Sequence, residues 1–89
     1  VEVINMTPSA EKNKSLHAEQ YKQIGLNIAF YRKLKGLTQL QLAEQIGISR
    51  THMSNIEAPL MEKTMSIEVL LNIADALEIE PYKLLMLRE

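Results

Sequence analysis

The chain has no cysteine and no tryptophan, and its aromatics are three tyrosines and one phenylalanine. Without cysteine there is neither a disulfide framework nor a thiolate metal site. That composition fits a reducing compartment, so a cytoplasmic location is expected. With so few aromatics, the core falls to Leu, Ile, Met and Ala, which favours helices over strands. Three glycines and three prolines are too few for a turn-rich all-β chain or a flexible linker. Apolar runs are short, so no segment reads as membrane-spanning, and no charged-then-apolar leader pattern opens the sequence.

What is present fits one small domain: 89 residues, 46% of them hydrophobic. The net charge of −1 says nothing by itself about a polyanionic partner. Its distribution says more. Residues 1–50 hold seven basic and four acidic side chains, a net of +3, whereas residues 51–89 hold three basic and seven acidic, a net of −4. One end of the molecule is thus better suited than the other to meet an anion.

Residues 1–15 show no helical period and carry Asn5, Pro8 and Asn13, so they are expected to form a flexible tail. Residues 16–89 are expected to fold. A first helix is predicted over residues 16–35, where Tyr21, Ile24, Ile28 and Tyr31 recur at three- and four-residue spacing. Gly36 ends it, and Lys33 and Lys35 suit the negative end of its dipole. Leu26, Phe30 and Leu34 form a second stripe, expected to be covered by the tail or by a second subunit.

A second helix opens at Thr38, where Thr38-Gln39-Leu40-Gln41 has the spacing of a capping box. Leu40, Ala43 and Ile46 are predicted to face inward, with Leu42 close to that face, and Gly47 ends the helix. Ser49 caps a third helix anchored by Met53 and Ile56, and Ala58-Pro59 ends it. Residues 60–65 read as a loop. Ser66 caps a fourth helix with Ile67, Leu70, Leu71, Ile73, Ala74 and Leu77 inward. Pro81 takes the first helical position of a fifth. There Leu84, Leu85, Met86 and Leu87 exceed what one stripe needs and suggest a dimer contact.

The informative stretch is TQLQLAEQIGISRTHMSNIE, from Thr38 to Glu57. Two short helices flank a turn at Gly47, where a positive φ lets the chain reverse sharply, and Ala43 lets the two helices approach. On a helical wheel, Met53 and Ile56 mark the buried side of the third helix, with Glu57 beside it. Thr51 and Asn55 point away, Ser54 and His52 lie on the flanks, and the side chain of Arg50 can swing outward. The outward face is polar and holds no carboxylate, as entry into a DNA major groove requires. The positive end of the second helix stands behind Gln39, which makes that residue a candidate phosphate contact. His52 and Ser54 are placed against phosphates as well.

From about Ile24 to Leu85 the sequence resembles the phage-repressor/Cro-like helix-turn-helix family, the XRE-type regulators. The likeness rests on Gly25, Ile28 and Arg32-Lys33, then on Gly36-Leu37-Thr38-Gln39 and Leu42-Ala43. It continues through Gly47-Ile48-Ser49, Ile56-Glu57, Ser66-Ile67, Leu70, Ala74, Leu77, Pro81 and Leu84-Leu85. The resemblance implies an all-α, compact five-helix lambda-repressor-like domain with its helix-turn-helix at helices 2 and 3. The implied function is a sequence-specific transcriptional regulator, a repressor, that binds double-stranded operator DNA as a homodimer. It also implies that Gln39 contacts DNA, that Ser49 is a phosphate-contacting cap, and that Arg50, Thr51 and Asn55 read bases. Arg32 and Glu57 match a family ion pair. The sequence departs from the pattern at Asn27 and Ala29, where many relatives are basic, and at Ala58-Pro59, where many have Asn-Gly.

No set of residues supports catalysis, so an enzyme is not expected. His17 and His52 have no second ligand at metal spacing, and neither a metal, a cofactor nor a small-molecule ligand is implied. The alternative to a DNA-binding regulator is a helix-turn-helix fold used as a protein-interaction module, such as an antitoxin-like or adaptor partner.

Overall fold

The structure is a computed structural model that describes residues 17–58 and 65–86. The expected tail, Leu16, Pro59, most of the loop before Met65, and Leu87 lie outside the described residues. The elements run α1 (Ala18–Leu34), α2 (Gln39–Ile46), α3 (Arg50–Glu57), α4 (Ile67–Leu77) and α5 (Tyr82–Leu85). Among the described residues there is no strand.

Local chemistry sets the helix ends. Thr38, Ser49 and Ser66 each accept a hydrogen bond from the backbone N–H three residues on, at 3.0, 2.9 and 3.1 Å. This satisfies one orphan donor per helix. Gln41 completes the capping box, its Oε1 accepting from the Thr38 N–H at 2.8 Å. At the other end of α1, Gly36 has φ 81° and the Leu37 N–H reaches back to the Arg32 carbonyl at 3.0 Å. Gly47, at φ 77°, closes α2 in the same way, with the Ile48 N–H on the Ala43 carbonyl. Helix α4 uses this six-residue closure too, but the left-handed position is Glu78, at φ 60°. A glycine would occupy that conformation without strain.

All five helices contribute to one core: Ile28 from α1, Leu42 and Ala43 from α2, Met53 and Ile56 from α3, Leu70, Ile73, Ala74 and Leu77 from α4, and Leu84 from α5. Three inward assignments are corrected. Leu40 is 48% exposed, Ile67 69% and Leu71 41%. In α2 the stripe is set by the fully buried Leu42 and Ala43, with Ile46 partly buried beside them. Leu40 then lies roughly 110° round the helix from the stripe's centre, while Gln39 falls near that centre. In α4 the positions 70, 73, 74 and 77 fill the interior. Ile67 in the first turn instead lines a largely apolar cavity of 330 Å³ with Tyr21, Ile24, Met65 and Leu85.

Besides Ile28 in the core, two close contacts tie α1 to α5 and α3. Asn27 is fully buried and donates both N–H groups of its amide to α5 and the residue beyond it, to the carbonyls of Leu84 at 3.0 Å and Met86 at 2.8 Å. Its oxygen accepts from Gln23 Nε2 at 3.1 Å. The departure at Asn27 is therefore an interior anchor, and a lysine there would bury a charge with no carboxylate supplied. Gly25 meets α3 backbone to backbone: a Cβ there would stand 2.7 Å from the Ile56 carbonyl oxygen.

Two outcomes are expected. Gly25→Ala forces α1 and α3 apart and lowers unfolding stability by about 1–3 kcal/mol, measured by chemical denaturation. Near the αL position of Glu78, Lys35 Nζ lies 2.6 Å from its Oε1. That hydrogen bond, and the Lys35 charge behind it, hold the Glu78 carboxyl below its ordinary value of 4.5. The pair therefore stabilises the fold above that value, and the gain is lost as pH falls through the lower folded value. Melting temperatures across this range should fall less steeply for Lys35→Met than for the parent.

Candidate nucleic-acid interface

The turn between α2 and α3 sets up the candidate surface. Gly47 reverses the chain, and Ser49 caps α3 by accepting the His52 N–H at 2.9 Å. The serine hydroxyl keeps its own hydrogen for an outside acceptor. Met53 and Ile56 bury one side of α3, which fixes what the other side shows. Arg50, Thr51, His52 and Asn55 are exposed, and Ser54 is half-buried on the flank. No acidic residue stands in the first turn of α3 or of α2.

The one acid of α3, Glu57, is turned inward and 7% exposed. Its Oε2 accepts from Arg32 Nε at 2.7 Å and its Oε1 from Arg32 Nη2 at 3.0 Å, a two-pronged pair between α1 and α3. Arg32 is itself buried and also donates Nη1 to the Leu37 carbonyl at 2.7 Å. The carboxylate that could have repelled a phosphate is thus neutralised inside the protein. Lys35, by contrast, pairs with Glu78, the residue that follows α4.

Gln39 stands at the start of α2 and makes an interior contact besides. It is half-buried, and its Nε2 donates to Glu57 Oε1 at 2.9 Å. One of the amide's two donor hydrogens is therefore spent inside the protein. The residues assigned to DNA thus come together along the start of α2, the turn and the exposed side of α3. Sequence reasoning missed the Gln39–Glu57 link and the anchoring role of Asn27. The signal for Asn27 was present: it lies three residues after Ile24 and four before Tyr31, within the inward stripe of α1. Among the described residues no three His, Cys, Asp or Glu side chains cluster to hold a metal ion.

A bundle of short helices whose second and third members form a sharply turned pair, the third showing an acid-free polar face, defines an all-α helix-turn-helix domain. A family model described as helix-turn-helix domain matches residues 25–89. The chain belongs to the XRE-type helix-turn-helix family.

Solved structures agree. The restriction-modification controller protein C.AhdI from Aeromonas hydrophila is 32% identical with a TM-score of 0.66, over 76% of this chain and 98% of that one. The master regulator for biofilm formation SinR, solved in complex with DNA, is 33% identical with a TM-score of 0.65, over 71% of this chain and 98% of that one. The hypothetical transcription factor NHTF from Neisseria is 27% identical with a TM-score of 0.68, over 78% of this chain and 76% of that one. No curated protein sequence matches the chain.

Breaking the buried pair leaves one charge without its mate. Arg32→Ala should cost about 3–5 kcal/mol of unfolding stability. Replacing both partners with apolar residues should cost clearly less than the sum of the two single changes, read from a double-mutant cycle in urea.

Proposed function

We propose that this protein is a sequence-specific DNA-binding transcriptional regulator that inserts α3 into the major groove of its operator and represses by occupying it. The observation that carries the reading is the exposed face of α3, where Arg50, Thr51, His52 and Asn55 stand together while Glu57 is paired inside. Arg50, Thr51 and Asn55 take the base edges: the arginine fork suits guanine, the asparagine amide suits adenine, and the threonine methyl suits thymine. Gln39, Ser49, His52 and Ser54 hold phosphates and fix register. The reading includes no catalytic step, and it places the protein in the cytoplasm with the DNA. It is supported by the relatives, among them a controller protein and a regulator solved with DNA bound.

The regulator acts as a homodimer. Leu34 and Tyr82, Leu85 and Met86 leave apolar surface on α1, on α5 and just beyond it, at 72%, 57%, 55% and 49% exposure. Of the apolar run once assigned to an interface, Leu84 is instead fully buried in the core. Two copies joined through this surface place their α3 helices about 34 Å apart, one turn of DNA.

Selection of bound sequences from a random DNA pool, followed by titration at two salt concentrations, tests the proposal. Binding should weaken steeply with salt, and two copies should occupy one palindromic site. Arg50→Ala should lose about 1–3 kcal/mol on the preferred site and relax the choice at one base pair. Equal loss on every sequence would contradict base reading. Absence of DNA binding at either salt concentration would favour the protein-interaction module.

A further inference from the structure

We infer that Glu57 is a positioning residue for DNA binding: besides anchoring Arg32, it orients the Gln39 amide so that its remaining N–H faces a phosphate. This inference rests on the DNA-binding reading above and names a part of its machinery.

The chemistry of the contact dictates the orientation. A carboxylate only accepts hydrogen bonds, so Gln39 must turn its NH₂ end, and not its oxygen, toward Glu57. Nε2 stands 2.9 Å from Oε1, the same oxygen that accepts from Arg32 Nη2 at 3.0 Å. Glu57 is in turn held from two sides by the guanidinium and cannot swing away without stranding a buried charge. Arg32 also fixes the entry to α2, because its Nη1 binds the carbonyl of Leu37, two residues before Gln39. One arginine thus sets the backbone leading into Gln39, and its carboxylate partner sets the side chain.

Gln39 is the first residue of α2, half-buried at the rim of the candidate interface. A glutamine there with no internal partner would spread over many rotamers and lose that freedom on binding. Held by Glu57, it meets the phosphate already ordered. Its second N–H, on the nitrogen that Glu57 pins, is the group left for the phosphate.

The test uses the full chain and the DNA site recovered by selection, at a temperature where circular dichroism shows every variant folded. Gln39→Ala should weaken binding about three- to tenfold, the cost of ordering one side chain plus its contact. Gln39→Asn keeps an amide but is one methylene short of Glu57, and should lose as much as alanine. Glu57→Gln should also weaken binding, and most of that effect should vanish in the Gln39→Ala background. Ethylation interference should lose its signal at the same phosphate in Gln39→Ala and Glu57→Gln.

Wild-type affinity in Gln39→Asn would overturn the inference and leave the regulator reading standing. So would additive effects of the two changes, or different phosphates in the interference pattern. Failure of the parent chain to bind any DNA would overturn both.

Discussion

Glu57 stands on α3 yet accepts its hydrogen bonds from α1 and α2, so three helices are referenced to one carboxylate. Geometry around it leaves little latitude. Arg32 approaches with two prongs and spends a third donor on the loop before α2. Buried charges of this kind add little net stability compared with an apolar pair, because desolvation offsets their attraction. Their value here is directional: a hydrogen-bonded pair has one satisfactory arrangement, whereas apolar side chains have several. The Gly47 turn and the burial of Met53 and Ile56 set the pair and the face it shows, and the Glu57 contacts tie that pair to α1.

The same device shapes the charge seen by a partner. A short helix with an acid near its end would ordinarily show that acid to solvent. Drawing Glu57 inward removes it from the face that carries Arg50, Thr51 and Asn55. The acids of α4 and the residue following it, Glu68, Asp75 and Glu78, are exposed outside the helix-turn-helix pair. Glu44, on α2, is the exposed acid within the pair, and it lies outside α3.

Much of the fold was legible because it is written locally. Thr38, Ser49 and Ser66 sit where short-range capping requires them, and Gly36 and Gly47 sit where left-handed closure does. The acid-free face of α3 was legible for the same reason, since a helical wheel needs no tertiary information. What was misjudged depended on distant partners. An eight-residue helix does not determine the phase of its own apolar stripe, so Leu40 reads as inward in the sequence whereas Leu42 and Ala43 are the buried residues. Asn27 falls within the inward stripe of α1, but the carbonyls it donates to lie 57 and 59 residues away. The Arg32–Glu57 pair came from family resemblance and not from spacing. The hydrogen bond from Gln39 to Glu57 spans 18 residues and likewise has no local signature. Glu78 occupies a position that a sequence reader reserves for glycine.

The contact at Gly25 carries one more consequence. Where two helices are separated by side chains, mutation can thicken or thin the layer and tilt one against the other. Here the α1 backbone touches the Ile56 carbonyl with no side chain between them. There is no shim to adjust. Change at the surface of α3 is therefore left to its exposed side chains, since the mount that carries them has no intervening layer to thicken.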